Sequence, residues 1–236
     1  MSSSLASTSA PRFDVAPFRL SGTVYAALLN HRDALASLGD AVAAPPYRGA
    51  PKAVVLAVKP RNALVGPGGA LEVDDDAPEL EVGAALGIVI GTTACAVDAA
   101  DALDHVAGYL IVADCTVPHA SHFRPQIRAL ARDASCVLGA RVVARAEVGD
   151  PDALAVRLFV DGGLASTSST ADHVRGVARL IAEVSDFITL APGDVLLAGS
   201  APGAPRVRAG ARIAVEIERL GRLETRVFAS EGTTSA

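Results

Sequence analysis

Asp114 closes the apolar run GYLIVA, Gly108 to Ala113. Burying a lone carboxylate costs several kcal/mol, so an aspartate placed there either caps a turn or works at a site. His119 and His122 follow in a proline-containing loop and, with Asp114, form one candidate metal cluster, although the spacing is unspecific and two loop histidines are more often solvated. Upstream, Glu79 and Glu81 alternate on an extended stretch, which turns both carboxylates to one face. That layout suits a hard divalent cation such as Mg²⁺ or Mn²⁺; beside Asp74 to Asp76 it also reads as an acidic surface loop. Cys95, Cys115 and Cys136 contain no CxxC pair, which argues against a disulfide framework and a structural zinc site. Each is expected as a small buried apolar residue. No Gly-x-Ser-x-Gly elbow or Ser/His/Asp arrangement stands out, and Gly66 to Gly69 leads into no helix that would cradle a phosphate.

The elements that must position these groups are mostly strands. Strands are expected over Gly22–Leu29, Ala53–Val58, Val82–Ile90, Gly108–Ala113 and Val195–Ala198, the third and fourth apolar on both faces as in a buried sheet. Asp161-Gly162-Gly163 predicts a hairpin between Leu154–Val160 and Leu164–Thr167. Arg212–Glu218 and Leu223–Phe228 pair around Leu220-Gly221. Helices are expected from His31 to about Leu38 with Asn30 as N-cap, over Val97–Leu103, and over Thr170–Phe187. In the last of these Val174, Val177, Leu180, Ile181, Val184 and Phe187 make one apolar face. Pro60 holds Lys59 extended. The class is α+β and β-dominated, with a mixed sheet and a few short helices.

The whole chain bounds the function. Its 236 residues are 50% hydrophobic and carry 21 basic against 26 acidic residues, a net charge of −5. That excludes disorder and disfavours nucleic acid as a partner. No apolar run reaches the roughly 18 residues that cross a bilayer. The first residues lack the features of a signal peptide, so a cytoplasmic protein is expected, with loose tails at 1–20 and 230–236 around a single domain over 21–229.

The order of motifs resembles the fumarylacetoacetate hydrolase superfamily. The residues that carry it are Gly87-Ile-Val-Ile-Gly91, Gly108-Tyr109 with Asp114, Leu190-Ala-Pro-Gly-Asp194-Val-Leu-Leu-Ala-Gly199, and the closing Gly210 to Val227. At the front, Gly22-Thr23, Leu29-Asn30-His31-Arg32, Pro46-Tyr47, Pro51-Lys52 and Lys59-Pro60-Arg61-Asn62 are similar to the N-terminal half of the bifunctional isomerase/decarboxylases of 4-hydroxyphenylacetate degradation, as are Arg124-Pro125, Arg132-Asp133 with Cys136, and Thr170-Ala171-Asp172. The resemblance implies a mixed β-sheet roll, a homodimer or a heteromer with a sister subunit, and Mg²⁺ or Mn²⁺ held by two glutamates and one aspartate. The ion would act as a Lewis acid that stabilises an enolate. The implied reactions are decarboxylation of 5-oxopent-3-ene-1,2,5-tricarboxylate and isomerisation of 2-hydroxyhepta-2,4-diene-1,7-dioate.

This sequence departs from that pattern where the metal should bind. The glutamate positions, counted back from Gly91, hold Gly83 and Ala85, which leaves Asp114 as the surviving ligand. A lysine position holds Leu130, and neighbouring phenylalanine and proline positions hold Ser135 and Val137. Glu79 and Glu81 stand four residues early, about 13 Å along a strand, out of reach unless a bulge absorbs the slip. One carboxylate alone does not hold Mg²⁺ tightly. His31 and Ser200 are the catalytic candidates that remain; Lys59, Arg61 and Arg124 are candidate partners for the carboxylates of a di- or tricarboxylate substrate, or else surface charges. The readings are a decarboxylase/isomerase subunit, a degenerate paralogue that pairs with an active sister, and, last, an acylpyruvate-type C–C hydrolase.

Overall fold

The structure, a computed structural model, describes residues 22–66, 68–119 and 126–230. The expected tails therefore lie outside the described residues, except Ser230, whose N–H donates to Val73 O at 2.7 Å. His122 and Arg124 lie outside them too.

In chain order the elements are β1 (Val24–Leu28), α1 (Arg32–Ala36), β2 (Val55–Lys59), β3 (Leu64–Val65), β4 (Leu71–Val73), β5 (Leu80–Ile90) and β6 (Val106–Thr116). Then come α2 (Ile127–Leu130), β7 (Cys136–Leu138), β8 (Val143–Ala144), α3 (Arg145–Val148), β9 (Ala155–Val160), β10 (Gly163–Ser169) and α4 (Val177–Ser185). The last are β11 (Val195–Leu197), β12 (Arg206–Val207), β13 (Arg212–Ile217) and β14 (Gly221–Ala229). One mixed sheet runs β2-β1-β11-β5-β6-β7-β3, with β12 beside β5 and β8 beside β6; a second runs β10-β9-β13-β14-β4. This is the α+β, strand-dominated architecture expected from the sequence.

The long antiparallel pair β5–β6 is the spine of the first sheet. Leu86, Ile88 and Ile90 enter a core shared with Val156, Leu158, Val215 and Val227 of the second sheet. Ala85, Val89, Leu110 and Val112 enter a second cluster with Val24, Val195 and Leu197. Both faces of the strands are covered, which is why their sequences show no alternation. No helix among the described residues is long and apolar enough to cross a membrane.

Three helix expectations change in the folded chain. Thr170–Asp172 is a 3₁₀ turn and α4 begins only at Val177, because Val174 N bonds Asn30 O and Arg175 N bonds Asn30 Oδ1, holding this stretch extended. Val97–Leu103 is turn, with a 3₁₀ segment over Ala102–His105: the amides of Ala96 and Val97 are taken by Ser185 at the end of α4. At α1 the N-cap is His31, since the Asn30 side chain is engaged elsewhere. Cys115 and Cys136 are buried, as expected, whereas Cys95 is exposed; all three are free thiols.

Candidate functional site

Gly83 and Asp114 are direct cross-strand partners at the open end of β5–β6. Thus Asp114 lies inside β6 rather than at its end. The two residues border a cleft of about 250 Å³ that Glu81, Thr116, His119 and Ser200 also line. Ala34 and Ser37, in α1 and just after it, close one side, and the turn after Gly199 closes another. Gly199 adopts φ +100°, which lets the chain turn against Ala27 O and the Asn30 side chain. Asn30 fixes that corner: its Nδ2 donates to Arg175 O at 3.0 Å and to Ala198 O at 2.8 Å. A larger groove of about 800 Å³ lies on the second sheet, away from Asp114. There Arg222 is engaged with Glu216 and Glu224 and stacks on Phe159, so the smaller cleft is the better candidate site.

The charge in the cleft is balanced from behind. Lys59 crosses from β2, and its Nζ stands 2.5 Å from Asp114 Oδ1 and 2.8 Å from Leu130 O. The lysine side chain has 0% exposure and the aspartate 14%. Burial is the largest single influence and pulls the ammonium pKa down, but the attraction and hydrogen bond of Asp114, with Cys136 and Cys115, together leave it raised, so Lys59 is a cation. Withdrawn from solvent and committed to Asp114, it has no free donor face toward a substrate in the cleft. Beside it, burial first and the charge of Asp114 second push the Cys115 and Cys136 thiols up, which keeps both protonated.

The other sequence candidates are dispersed. Ser200 and His119 line the cleft, with His119 Nδ1 2.9 Å from Val117 O. Arg61 is exposed in a 3₁₀ turn and does not line the cleft. His31 is buried under α1, where its Nδ1 accepts from Asp33 N at 3.2 Å and its ring meets His173 edge-on, centroids 6.2 Å apart. His31 Nε2 and His173 Nδ1 are both buried without a hydrogen-bond partner. Burial and the neighbouring His31 charge lower the His173 pKa to about 4. Neither histidine lines the cleft. His173 and the Lys59–Asp114 pair escape sequence reading because their partners are far away in the chain.

The residues present do not fit the divalent ion that the resemblance implies. The β5–β6 register runs unbroken from Glu81 opposite Thr116 to Val89 opposite Gly108, so no bulge moves Glu79 or Glu81 into the glutamate positions. Glu81 reaches the rim of the cleft, about 6.7 Å along the strand from Gly83, and pairs with Arg206 at 3.2 Å. Glu79 pairs with Arg208 at 2.7 Å. Gly83 supplies no donor and has no room for one: a Cβ there would lie 2.7 Å from Ser200 Oγ and 2.8 Å from Asp114 O. Ala85 is buried in the core. No group of three or more His, Cys, Asp or Glu residues placed to hold a metal occurs among the described residues.

Comparison with known proteins agrees with this architecture. Residues 23–228 match the model of the fumarylacetoacetate (FAA) hydrolase C-terminal family. The 4-hydroxyphenylacetate degradation bifunctional isomerase/decarboxylase of Escherichia coli is 33% identical over 216 residues, 92% of this chain and 49% of that protein. The chain spans about half the length of the curated relatives of this kind. Among solved structures, the 5-carboxymethyl-2-hydroxymuconate delta-isomerase of Mycobacterium smegmatis superposes with TM-score 0.73 at 27% identity, over 91% of this chain and 81% of that one. The fumarylpyruvate hydrolase of Pseudomonas aeruginosa, solved with Mn²⁺ and pyruvate, superposes with TM-score 0.77 at 25% identity, over 94% and 97%.

Proposed function

The chain belongs to the fumarylacetoacetate hydrolase family, and from that premise we propose that it is a subunit of a 4-hydroxyphenylacetate (homoprotocatechuate) degradation decarboxylase/isomerase that leaves metal chemistry to a sister subunit. The observation that carries this reading lies on β5, where Gly83, directly opposite Asp114, and Ala85, opposite Val112, offer no side-chain oxygen and Gly83 no space. The similarity to the bifunctional isomerase/decarboxylases, of whose length this chain spans about half, supports the pathway part of the reading.

In this reading the assembly works in the cytoplasm on 5-oxopent-3-ene-1,2,5-tricarboxylate and 2-hydroxyhepta-2,4-diene-1,7-dioate, and the sister carries an intact Glu-x-Glu pair. This chain contributes a folded cleft with Ser200 and His119 at its wall and a neutralised Asp114 at its floor. The same observation favours a purely structural paralogue as the second reading, and the assembled pair separates the two.

The test is calorimetric titration of the pure chain with Mn²⁺, with and without oxalate as a mimic of a 2-oxo acid, followed by an assay of CO₂ release from the tricarboxylate by the chain alone, the sister alone and the pair. The expected result is no heat of binding and no turnover for this chain, with more turnover from the pair than from the sister alone. Micromolar Mn²⁺ binding with turnover by the lone chain overturns the proposal. A pair no more active than the sister, yet more stable, establishes the structural paralogue instead.

A further inference from the structure

We propose that His31 and His173 form a latch that ties two walls of the cleft together while both rings are neutral and releases them when His173 takes up a proton. The latch is independent of the subunit reading, because it concerns the walls of the cleft and not a metal or a substrate.

The two rings have matched polarity. His31 Nδ1 accepts from Asp33 N at 3.2 Å, so the hydrogen of that ring sits on Nε2. The hydrogen bond between the His173 ring and the Gly199 backbone favours the protonated ring, as a carbonyl acceptor does; with Nδ1 unpartnered, the donor is Nε2. The atoms left over, His31 Nε2 and His173 Nδ1, are therefore one donor and one acceptor. Both are buried, on rings whose centroids are 6.2 Å apart at 86°. A small rotation of the rings, or one bridging water, joins them. The backbones of the two residues already meet in an antiparallel bridge.

Each ring also holds one wall. His31 caps α1, which carries Ala34 into the lining of the cleft. Burial does not hold that wall, since no residue from 32 to 53 is buried. His173 holds the carbonyl of Gly199, where the chain turns to present Ser200. A solvent proton that lands on His173 Nδ1 turns the acceptor into a second donor and leaves a buried cation facing His31 Nε2–H. Asp172 and the Gly199 carbonyl favour that cation, but burial first and His31 second oppose it with greater effect. The other charges packed nearby are committed elsewhere: Arg175 to Glu183 at 2.5 Å, and Asp152 to Val177 N at 2.9 Å. Asp33 is exposed, and the turn at Gly199 and Ser200 holds no titratable group.

The experiment is amide hydrogen exchange of the whole chain by NMR from pH 7 to pH 5, with intrinsic rates divided out, for wild type and His173→Gln. Ala34 N and Leu35 N, bonded to His31 O, and Val174 N, bonded to Asn30 O, report the latch. The amides of β5 and β6 report the fold as a whole. A freed ring titrates near 6.5 and the latched ring at about 4, so the opening equilibrium is expected to rise about 20-fold from pH 7 to pH 5 in the wild type. It is expected to stay flat in His173→Gln, with the latch amides of the wild type less protected than those of β5 and β6 throughout. Ring ¹H–¹⁵N correlations at pH 7 are expected to show both histidines with the hydrogen on Nε2. Latch amides that exchange no faster than those of β5 and β6, or that lose protection equally in His173→Gln, overturn the proposal. So does a His173 ring that titrates near 6.5 or carries its hydrogen on Nδ1; that measurement needs the wild type alone and decides the matter even where the variant does not fold.

Discussion

Gly83 and Asp114 face each other across the β5–β6 ladder, and the space a side chain would need at residue 83 is already occupied. An ideal Cβ there would meet Ser200 Oγ at 2.7 Å and Asp114 O at 2.8 Å. Ser200 has the freedom to turn away, but the carbonyl of a paired strand does not. The loss of the ligand and the tightening of the cleft are therefore one change seen from two sides.

Gly83→Ala is accordingly expected to destabilise the chain by about 1–3 kcal/mol through overpacking, read as a lower urea midpoint at unchanged slope. Gly83→Glu, which restores an acidic residue at that position, is expected to lose at least as much and still give no heat with Mn²⁺. A folded Gly83→Glu variant that binds Mn²⁺ at micromolar concentration would show that β5 accommodates the side chain and that space is not the obstacle.

Asn30 is the rivet between β1, the stretch before α4 and the turn that forms the wall of the cleft. Its side chain accepts from Arg175 N and donates to Arg175 O and Ala198 O, all within 3.0 Å. Alanine would leave three buried backbone groups unpaired, at about 1–3 kcal/mol each before relaxation, so Asn30→Ala is expected to cost at least about 3 kcal/mol. Asn30→Asp keeps the acceptor but loses both donors and buries a charge, and is expected to be no better. Chemical denaturation of both variants checks this; a loss below about 1 kcal/mol would mean that water replaces the amide.

These cases show how much of the molecule was legible in its sequence. The strands at Leu80–Ile90 and Val106–Thr116 were readable because continuous burial leaves a continuous apolar run, and the β9–β10 hairpin because Asp161-Gly162 carries the positive φ angles that a tight turn needs. Helix boundaries were not, since the amides of Val97, Val174 and Arg175 are claimed by Ser185 and Asn30, partners distant in sequence. In the site, the loss at Gly83 and Ala85 could be counted directly. The Lys59–Asp114 pair could not, because residues 55 positions apart meet only through strand order. Lys59 looked available to a substrate carboxylate; burial commits it to Asp114.

Asp152 caps α4, with Oδ1 at 2.9 Å and Oδ2 at 3.2 Å from Val177 N. The carboxylate also blocks any side chain at Gly176, where a Cβ would approach Oδ2 to 2.5 Å. Asp152→Ala removes the capping acceptor and its favourable charge at the helix start, and is expected to cost about 1 kcal/mol. Because α4 closes the core through Leu180, Ile181 and Val184, the loss should register as a global shift of the urea midpoint. Faster hydrogen exchange confined to the first turn of α4, with the midpoint unmoved, would show instead that the helix frays locally.

His173 gives the fold a pH dependence whose sign follows from its surroundings. Its ring is buried, and His31 adds a repulsive neighbour; the Gly199 backbone and Asp172 oppose these effects without overcoming them, and the pKa falls to about 4. An exposed histidine in the unfolded chain titrates near 6.5, so between these values the unfolded state binds the proton and the folded state does not. Stability from this residue is therefore complete above about pH 6.5 and declines as pH falls toward 4, by about 3 kcal/mol at the lower limit. His173→Gln removes the titration while keeping a polar side chain. Other groups titrate in both proteins, so the informative quantity is the difference in unfolding free energy between wild type and variant across pH 7 to 4. It is expected to move by about 3 kcal/mol in favour of the variant as pH falls. A difference that stays constant across the range would mean that the imidazole titrates alike in both states, and that the orphaned nitrogens of the His31–His173 pair are hydrated in solution.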